Sequence, residues 1–170
     1  MRLFIAIPFS EEFKGELIRV QNEMKVNGVR GNFSRPENLH VTVAFLGEVK
    51  DPAPAMKALA SVPVPELRLT SGPLGNFGEL LWIGLRKNSA LEEYVAEVRH
   101  ALDNAGVEYD RKKFLPHITL VRRADWPYQV LVEELAEVHR VRMTVDRVCL
   151  MKSERIDGKL TYTVVGEVRR

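Results

Sequence analysis

The sequence predicts an α+β fold made of two similar halves, because features of the first half recur in the second. An apolar, strand-like segment at residues 2–7 has a counterpart 78 residues later at 80–85. A His-apolar-Thr-apolar segment at residues 40–43 recurs at 117–120. We therefore expect a bilobal domain with a pseudo-twofold axis, in which two antiparallel β-sheets line a central cleft and the helices lie outside.

An amphipathic helix is predicted after each of these two leading strands. The apolar residues follow the spacing of 4, 3 and 4 that forms one buried face. They are Phe13, Leu17, Val20 and Met24 in the first helix, and Leu91, Val95, Val98 and Leu102 in the second. Ser10 is expected to cap the first helix, and Ser89 with Glu92 has the pattern of a capping box. Gly28 and Gly106 are placed to end the helices in a left-handed conformation.

The elements that follow each motif are predicted from less regular patterns. Proline in a first turn predicts short helices at about 51–60 and 125–138. Alternating apolar and polar residues predict strands near 65–70, 141–151 and 160–168.

The stretch 61–78 contains three prolines and three glycines and could pass for a linker. Two separate halves of about 80 residues would each have a thin core, however, so we interpret this stretch as a strand with turns. We expect one domain over residues 1–170, with lobes of about 1–78 and 79–170 and strand exchange between them left open.

The composition is that of a soluble globular protein, with 45% hydrophobic and 28% charged residues among 170. The apolar start at residues 3–9 is too short for a membrane span or a signal peptide, so we expect a cytoplasmic protein with no membrane partner. Cys149 lies between Val148 and Leu150 and is expected to be a core residue. The net charge of +2 permits a phosphate-bearing ligand.

The two His-Thr segments carry the main functional signal. Side chains alternate along a strand, so His40 and Thr42 share one face, as do His117 and Thr119. Two imidazoles that face each other across a cleft can act as base and acid at a phosphodiester, because their pKa lies near neutrality. The threonine hydroxyls are suited to hold the non-bridging phosphate oxygens.

This chemistry requires no metal or cofactor, and neither motif offers the three or four close ligands that zinc takes. His100 and His139 have no threonine two residues later and are expected to lie on the surface. Basic residues bracket His117, at 111–113 and at 122–123, and predict that a phosphate would lie toward that side of the cleft.

The chain resembles the two-histidine (2H) phosphoesterase superfamily, and within it the RNA 2′,3′-cyclic phosphodiesterases, also called 2′-5′ RNA ligases. The resemblance covers essentially the whole chain and is carried by the HxTx motifs within the segments 36–48 and 114–122, together with residues 2–7. It implies hydrolysis of a ribose 2′,3′-cyclic phosphate to a 2′-phosphomonoester. His40 would be the proton donor to the leaving 3′ oxygen, His117 the acceptor that activates water, and Thr42 and Thr119 would bind phosphate.

The resemblance also makes Arg122 a candidate phosphate ligand. Arg122 lies five residues after His117, so it reaches the cleft only if the strand ends or bulges. Phe45 occupies the matching place in the first motif and is a candidate for stacking on a base, although a core position is an equal alternative.

The expected partner is RNA with a 2′,3′-cyclic phosphate end, or a related small nucleotide, and the protein is expected to be a monomer. Two alternatives stay open. The same site could join RNA ends in the reverse direction with a 2′-5′ linkage, because both directions share one transition state. A binding module for single-stranded RNA ends is the other alternative, although the small net charge does not favour it.

Overall fold

Two antiparallel sheets with three helices packed outside them make up the fold in the computed structural model, which describes residues 1–170. The strands are β1 (Arg2–Pro8), β2 (Arg30–Phe33), β3 (His40–Glu48), β4 (Arg68–Phe77), β5 (Leu80–Leu85), β6 (His117–Asp125), β7 (Arg142–Thr144), β8 (Arg147–Ile156) and β9 (Lys159–Arg169). The helices are α1 (Glu11–Val26), α2 (Ala53–Ala60) and α3 (Ser89–Asn104). Short 3₁₀ turns occupy Pro36–Asn38 and Val132–Glu134. The α+β class and the two-sheet arrangement predicted from the sequence are confirmed.

Both sheets combine strands from the two halves of the chain. The first sheet has the order β3-β1-β8-β9, and the second has the order β2-β6-β5-β4-β7. Thus β8 and β9, from the end of the chain, pair beside β1, whereas β2 pairs with β6. The stretch 61–78 leads into β4, and it continues into β5 through a tight turn at Gly78.

The main core lies between the sheets and the helices and contains 40 buried residues. The apolar faces predicted for α1 and α3 are buried in it. Ser10 caps α1 as expected, by accepting a hydrogen bond from the backbone N–H of Phe13. The expected cap of α3 is wrong by one residue, because the side chain of Asn88, and not of Ser89, accepts from the N–H of Leu91.

The helix predicted at 125–138 is wrong, since only the 3₁₀ turn Val132–Glu134 forms there. Side chains of α1 and of its C-cap residue Asn27 instead satisfy the backbone of this segment. Glu23 accepts from the N–H of Glu137, and Asn27 donates to the carbonyl of Leu135. Arg19 donates to the carbonyl of Glu137. These tertiary bonds replace the hydrogen bonds of an internal helix and override the local helix signal.

Candidate active site

The two sheets enclose a cleft of about 860 Å³, and both His-Thr motifs line it. The structure brings all six of the residues predicted for the site into this one cleft. They are His40, Thr42, Phe45, His117, Thr119 and Arg122.

His40 and His117 are held by the same backbone contact. Nδ1 of His40 lies 2.7 Å from the carbonyl oxygen of Asn38, and Nδ1 of His117 lies 2.7 Å from the carbonyl oxygen of Leu115. A carbonyl can only accept a hydrogen bond, so each Nδ1 carries a hydrogen. The opposite nitrogen, Nε2, is therefore the one free to exchange a proton in the cleft.

A β-bulge in each motif strand brings a further side chain into the cleft. The β5–β6 register passes from the pair Leu81–Val121 to the pair Trp82–Thr119, which leaves Leu120 as the extra residue. Alternation along β6 is therefore reversed, and Arg122 lies on the same face as His117 and Thr119. A bulge is one of the two conditions under which the sequence predicted this placement.

The bulge in β3 is the counterpart of the bulge in β6. The β1–β3 register passes from Ile5–Ala44 to Ala6–Thr42, which leaves Val43 as the extra residue. Phe45 consequently faces the cleft and is 49% exposed, so the alternative of a core position for Phe45 is wrong.

Gln21, a buried residue of α1 that supports the bulge in β6, is not among the residues predicted from the sequence. Its side-chain amide donates to the carbonyl oxygens of Ser34 and Leu120, each at 3.0 Å. Ser34 in turn donates through its hydroxyl to the carbonyl of Thr119 at 2.9 Å. A buried glutamine inside an apolar helical stripe was the signal that could have identified it.

The ring of His40 is enclosed by aromatic side chains. The Phe4 ring lies 5.0 Å away, the Tyr162 ring lies 5.3 Å away edge-on, and the Thr42 hydroxyl lies 2.9 Å from Nε2. Burial lowers the pKa of His40 to about 4. The hydrogen bond to Asn38 opposes this shift, whereas the positive charges of Arg122 and His117 add to it.

The ring of His117 also contacts two aromatic residues, but these come from the β4–β5 hairpin. Phe77 meets it edge-on at 5.1 Å, and Trp82 lies at 6.3 Å. The indole of Trp82 covers Gly75 on the neighbouring strand, where a Cβ atom would lie 2.3 Å from the ring. Gly75 therefore permits the position of Trp82 that supports His117.

Most of the positive charge of the cleft does not come from the basic residues 111–113 and 122–123 that bracket His117. The prediction that these residues draw a phosphate toward the His117 side is wrong in this respect. Of those five residues only Arg122 lines the cleft. Arg111 forms an ion pair with Asp103 at 2.7 Å, away from the site. The other cations lining the cleft are Arg2, Arg35, Arg155 and Lys159. They lie outside the motifs. Arg2, Arg155 and Lys159 come together only when β1, β8 and β9 pair, and Arg35 joins them through its hydrogen bond to the carbonyl of Leu160.

The remaining candidate residues lie outside the cleft. His100 and His139 are exposed, as predicted, and His139 lies 3.6 Å from Glu16. Cys149 is buried, also as predicted, and packs with Phe4, Ala6 and Met151 beneath the cleft. No three His, Cys, Asp or Glu side chains come together as ligands for a metal ion. None of the helices has the length and apolarity needed to cross a membrane.

Known proteins resemble the chain in sequence and in fold. The model of the 2′-5′ RNA ligase superfamily matches residues 19–157. An RNA 2′,3′-cyclic phosphodiesterase of Methanocaldococcus jannaschii is 32% identical over 127 residues, which cover 72% of this chain and 71% of that protein. Another protein of that name, from Geobacillus stearothermophilus, is 32% identical over 137 residues. That match covers 74% of this chain but only 44% of the longer relative.

The fold has a counterpart in the crystal structure of Escherichia coli LigT complexed with 3′-AMP. The two structures superpose with a TM-score of 0.82 and 24% sequence identity, and the match covers 99% of this chain and 97% of LigT. The family model covers most of the chain, and the M. jannaschii relative agrees with it over more than two thirds of both proteins. This chain belongs to the 2′-5′ RNA ligase superfamily.

Proposed function

We propose that this protein hydrolyses the 2′,3′-cyclic phosphate at the end of an RNA and releases a 2′-phosphomonoester. The observation that carries the proposal is the paired geometry of His40 and His117. Each ring donates through Nδ1 to a backbone carbonyl, so that Nε2 is the nitrogen that can exchange a proton in one shared cleft. The names of the sequence relatives support the same reaction.

In the proposed mechanism, the histidines perform the two proton transfers. Nε2 of His117 accepts a proton from a water molecule, whose oxygen attacks the phosphorus. The bond between phosphorus and the 3′ oxygen breaks, and Nε2 of His40 donates a proton to that oxygen. The 2′ oxygen keeps the phosphate. One water is consumed, and one proton is transferred at each histidine.

The non-bridging phosphate oxygens need donors that stabilise their charge during the attack. Thr42, Thr119 and Arg122 are the residues proposed for this role, because all three line the cleft on the faces that carry the histidines. Phe45 is the exposed aromatic side chain of this face and is proposed to contact the base.

The acid role of His40 requires that its ring be protonated when the substrate is bound. In the free protein the pKa of His40 is lowered to about 4, so the ring is neutral near pH 7. A phosphate anion beside the ring would offset the charge of Arg122 and favour the imidazolium form. We therefore propose that the substrate itself brings the pKa of His40 toward neutrality.

The test is hydrolysis of a short oligonucleotide 2′,3′-cyclic phosphate by the wild type, His40→Ala, His117→Ala and the double variant. Each single variant is expected to lower kcat by roughly 10² to 10⁴, because one proton transfer is removed. The double variant should be far from additive, since the two groups act in one step. Binding of the product should largely survive in all three. His100→Ala removes an exposed histidine outside the cleft and serves as the matched control.

Product analysis by phosphorus NMR completes the test. A 2′-phosphate is expected, whereas a clean 3′-phosphate would reverse the roles of His40 and His117. Near-normal hydrolysis by both single variants would contradict the mechanism. Ligation is examined in the same assay by adding an RNA with a 5′-hydroxyl end, in which case a 2′-5′-linked product would mark the reverse direction.

A further inference from the structure

We propose that the tip of the β8–β9 hairpin, together with Arg2, forms a second phosphate subsite. This inference rests on the proposed function and specifies its substrate class. The subsite would bind the phosphodiester on the 5′ side of the terminal nucleotide, so that the preferred substrate is an oligonucleotide with a cyclic phosphate end and not a free nucleoside cyclic phosphate.

The hairpin tip extends past the end of the neighbouring strand. Pairing between β1 and β8 begins at Arg2 opposite Ser153, and β8 continues beyond this point to Ile156. Arg155 lies two residues past Ser153 and so projects from the same face, toward the cleft that both residues line. Lys159 begins the returning strand and lines the cleft as well.

Hydrogen bonds fix the hairpin tip relative to His40. The carbonyl oxygen of Leu160 accepts from the side chains of both Arg35 and Asn38, the latter at 2.9 Å. The carbonyl of Asn38 is the group that holds Nδ1 of His40. Asn38 therefore links the hairpin tip, which carries Arg155 and Lys159, to His40, the proposed acid.

The cations of the proposed subsite have no carboxylate partner. Arg2, Arg155 and Lys159 form no ion pair, whereas the neighbouring Arg35 pairs with Glu37 at 3.0 Å. The acidic neighbours of the subsite already have partners. Glu154 pairs with Lys152 at 3.2 Å. Glu48, opposite Arg2 on β3, lies 3.4 Å from the amino terminus.

The order of side chains along β1 and its neighbours matches the order of groups in a nucleotide chain. Thr42 pairs with Ala6, Phe45 pairs with Phe4, and Ser153 pairs with Arg2. Ala6 lies four residue steps along the strand from Arg2, which is roughly 13 Å at about 3.3 Å per step. A single phosphate cannot reach from Thr42 at one end to Arg2 at the other. β1 and its neighbours therefore present, in order, a phosphate site at Thr42, an aromatic surface at Phe45 and a second group of cations at Arg2. This order matches the terminal phosphate, the nucleoside and the next phosphate of a nucleotide chain.

The volume of the cleft agrees with a ligand of this kind. Sites for drug-sized molecules typically measure about 300–1,000 Å³, and the cleft of about 860 Å³ lies in the upper part of that range. The cations of this edge come from β1, β8 and β9. Arg122 is the one lining cation that the second sheet contributes.

The experiment compares adenosine 2′,3′-cyclic phosphate with the dinucleotide ApA ending in a 2′,3′-cyclic phosphate. The wild type is expected to show a kcat/KM about tenfold higher for the dinucleotide, because the added phosphodiester forms charge-assisted hydrogen bonds with the subsite. The double variant Arg155→Ala/Lys159→Ala is expected to abolish this advantage and to hydrolyse the mononucleotide at the wild-type rate. The salt dependence of kcat/KM for the dinucleotide should flatten, since the double variant removes two of the three cations that would neutralise the added phosphate.

Two controls separate the phosphate from other sources of preference. A dinucleotide with an uncharged methylphosphonate linkage should show no advantage with the wild type, although its second base is still present. Lys87→Ala removes an exposed cation that does not line the cleft and should leave both substrates unaffected.

Equal effects of the double variant on the two substrates, or no effect on either, would overturn the subsite. Failure of the proposed function gives a different result, namely that the wild type hydrolyses neither substrate. The subsite is then tested by direct binding of a fluorescently labelled ApA 2′-phosphate. The double variant must weaken that binding about tenfold while leaving adenosine 2′-phosphate unaffected, and equal binding by wild type and double variant would overturn the subsite in that case too.

Discussion

His40 and His117 share one hydrogen-bonding arrangement but have different surroundings. His40 lies between Phe4 and Tyr162, and its burial lowers the pKa of the ring to about 4. The Thr42 hydroxyl, 2.9 Å away, donates to Nε2 of the neutral ring. When the ring gains a proton, this bond must reverse or be replaced by a bond to the ligand. The protonation of His40 is therefore coupled to what occupies the cleft.

This coupling predicts that anion binding becomes stronger as the pH falls from 8 to 5. A bound anion raises the pKa of His40 above its free value of about 4, so in the interval between the two values binding takes up protons. The affinity should rise by up to about tenfold per pH unit for a single group. The measurement is calorimetric titration with sulfate, whose charge is constant over this range, in buffers of different ionisation enthalpy.

His40→Gln is the matched variant for this titration, because it keeps a polar side chain but cannot titrate. It is expected to bind sulfate with less proton uptake and a flatter pH dependence than the wild type. Identical proton uptake by the two proteins would show that another group is responsible and would remove the argument that the substrate protonates His40.

At the scale of elements, the β4–β5 hairpin positions His117 through packing between Gly75, Trp82 and the imidazole ring. The glycine faces Trp82 directly across the two strands, and the indole occupies the space where a Cβ atom would lie. Phe77, at the end of β4, completes the contact with His117. The hairpin thus determines where Nε2 of His117 lies in the cleft.

We predict that Gly75→Ala lowers kcat by about ten- to a hundredfold without unfolding the protein. The added methyl group would lie 2.3 Å from the indole, so Trp82 must move and no longer supports His117. Displacement of a reacting group by about 1 Å can cost this much in rate. The measurements are hydrolysis of the cyclic phosphate and near-ultraviolet circular dichroism, which reports on the packing of tryptophan.

Gly15→Ala in α1 is the control, because outside the backbone of its own helix nothing lies within 4 Å of its added Cβ. It should keep full activity and raise the stability by about 0.5–1 kcal/mol, as expected for alanine in place of glycine inside a helix. If Gly75→Ala kept normal activity, the hairpin would have no part in placing His117.

The sequence predicted those parts of the site that local periodicity determines. Alternation placed His40 and Thr42 on one face, and the helical spacing identified the buried faces of α1 and α3. The cleft-facing position of Arg122 depended on a bulge, and the buried Gln21 that supports this bulge lies 99 residues from Leu120 in the chain. Local patterns contain no information about such contacts. The helix expected at 125–138 was wrong for the same reason, since hydrogen bonds with the side chains of Glu23 and Asn27 decide the conformation of this segment.

At the scale of the whole molecule, neither half of the chain contains a complete sheet. β1 of the first half pairs with β8 of the second, and β2 and β4 of the first half pair with β6, β5 and β7 of the second. The internal duplication is visible in the sequence, but the exchanged strands join its two copies into shared sheets. Separate lobes at about 1–78 and 79–170 are therefore not expected to fold independently.

We predict that fragments 1–78 and 79–170, made separately, show no cooperative unfolding transition, because each lacks the partners of several strands and leaves their apolar faces exposed. Mixed together, the fragments should associate, regain one transition and recover hydrolysis, since His40 is on one fragment and His117 on the other. Circular dichroism and the cyclic phosphate assay measure both. A full-length chain with a short Gly-Ser insertion after Gly78, in the exposed turn between β4 and β5, should stay folded and active because the connection is kept. A cooperative transition in either fragment alone would show that the lobes are independent folding units despite their shared sheets.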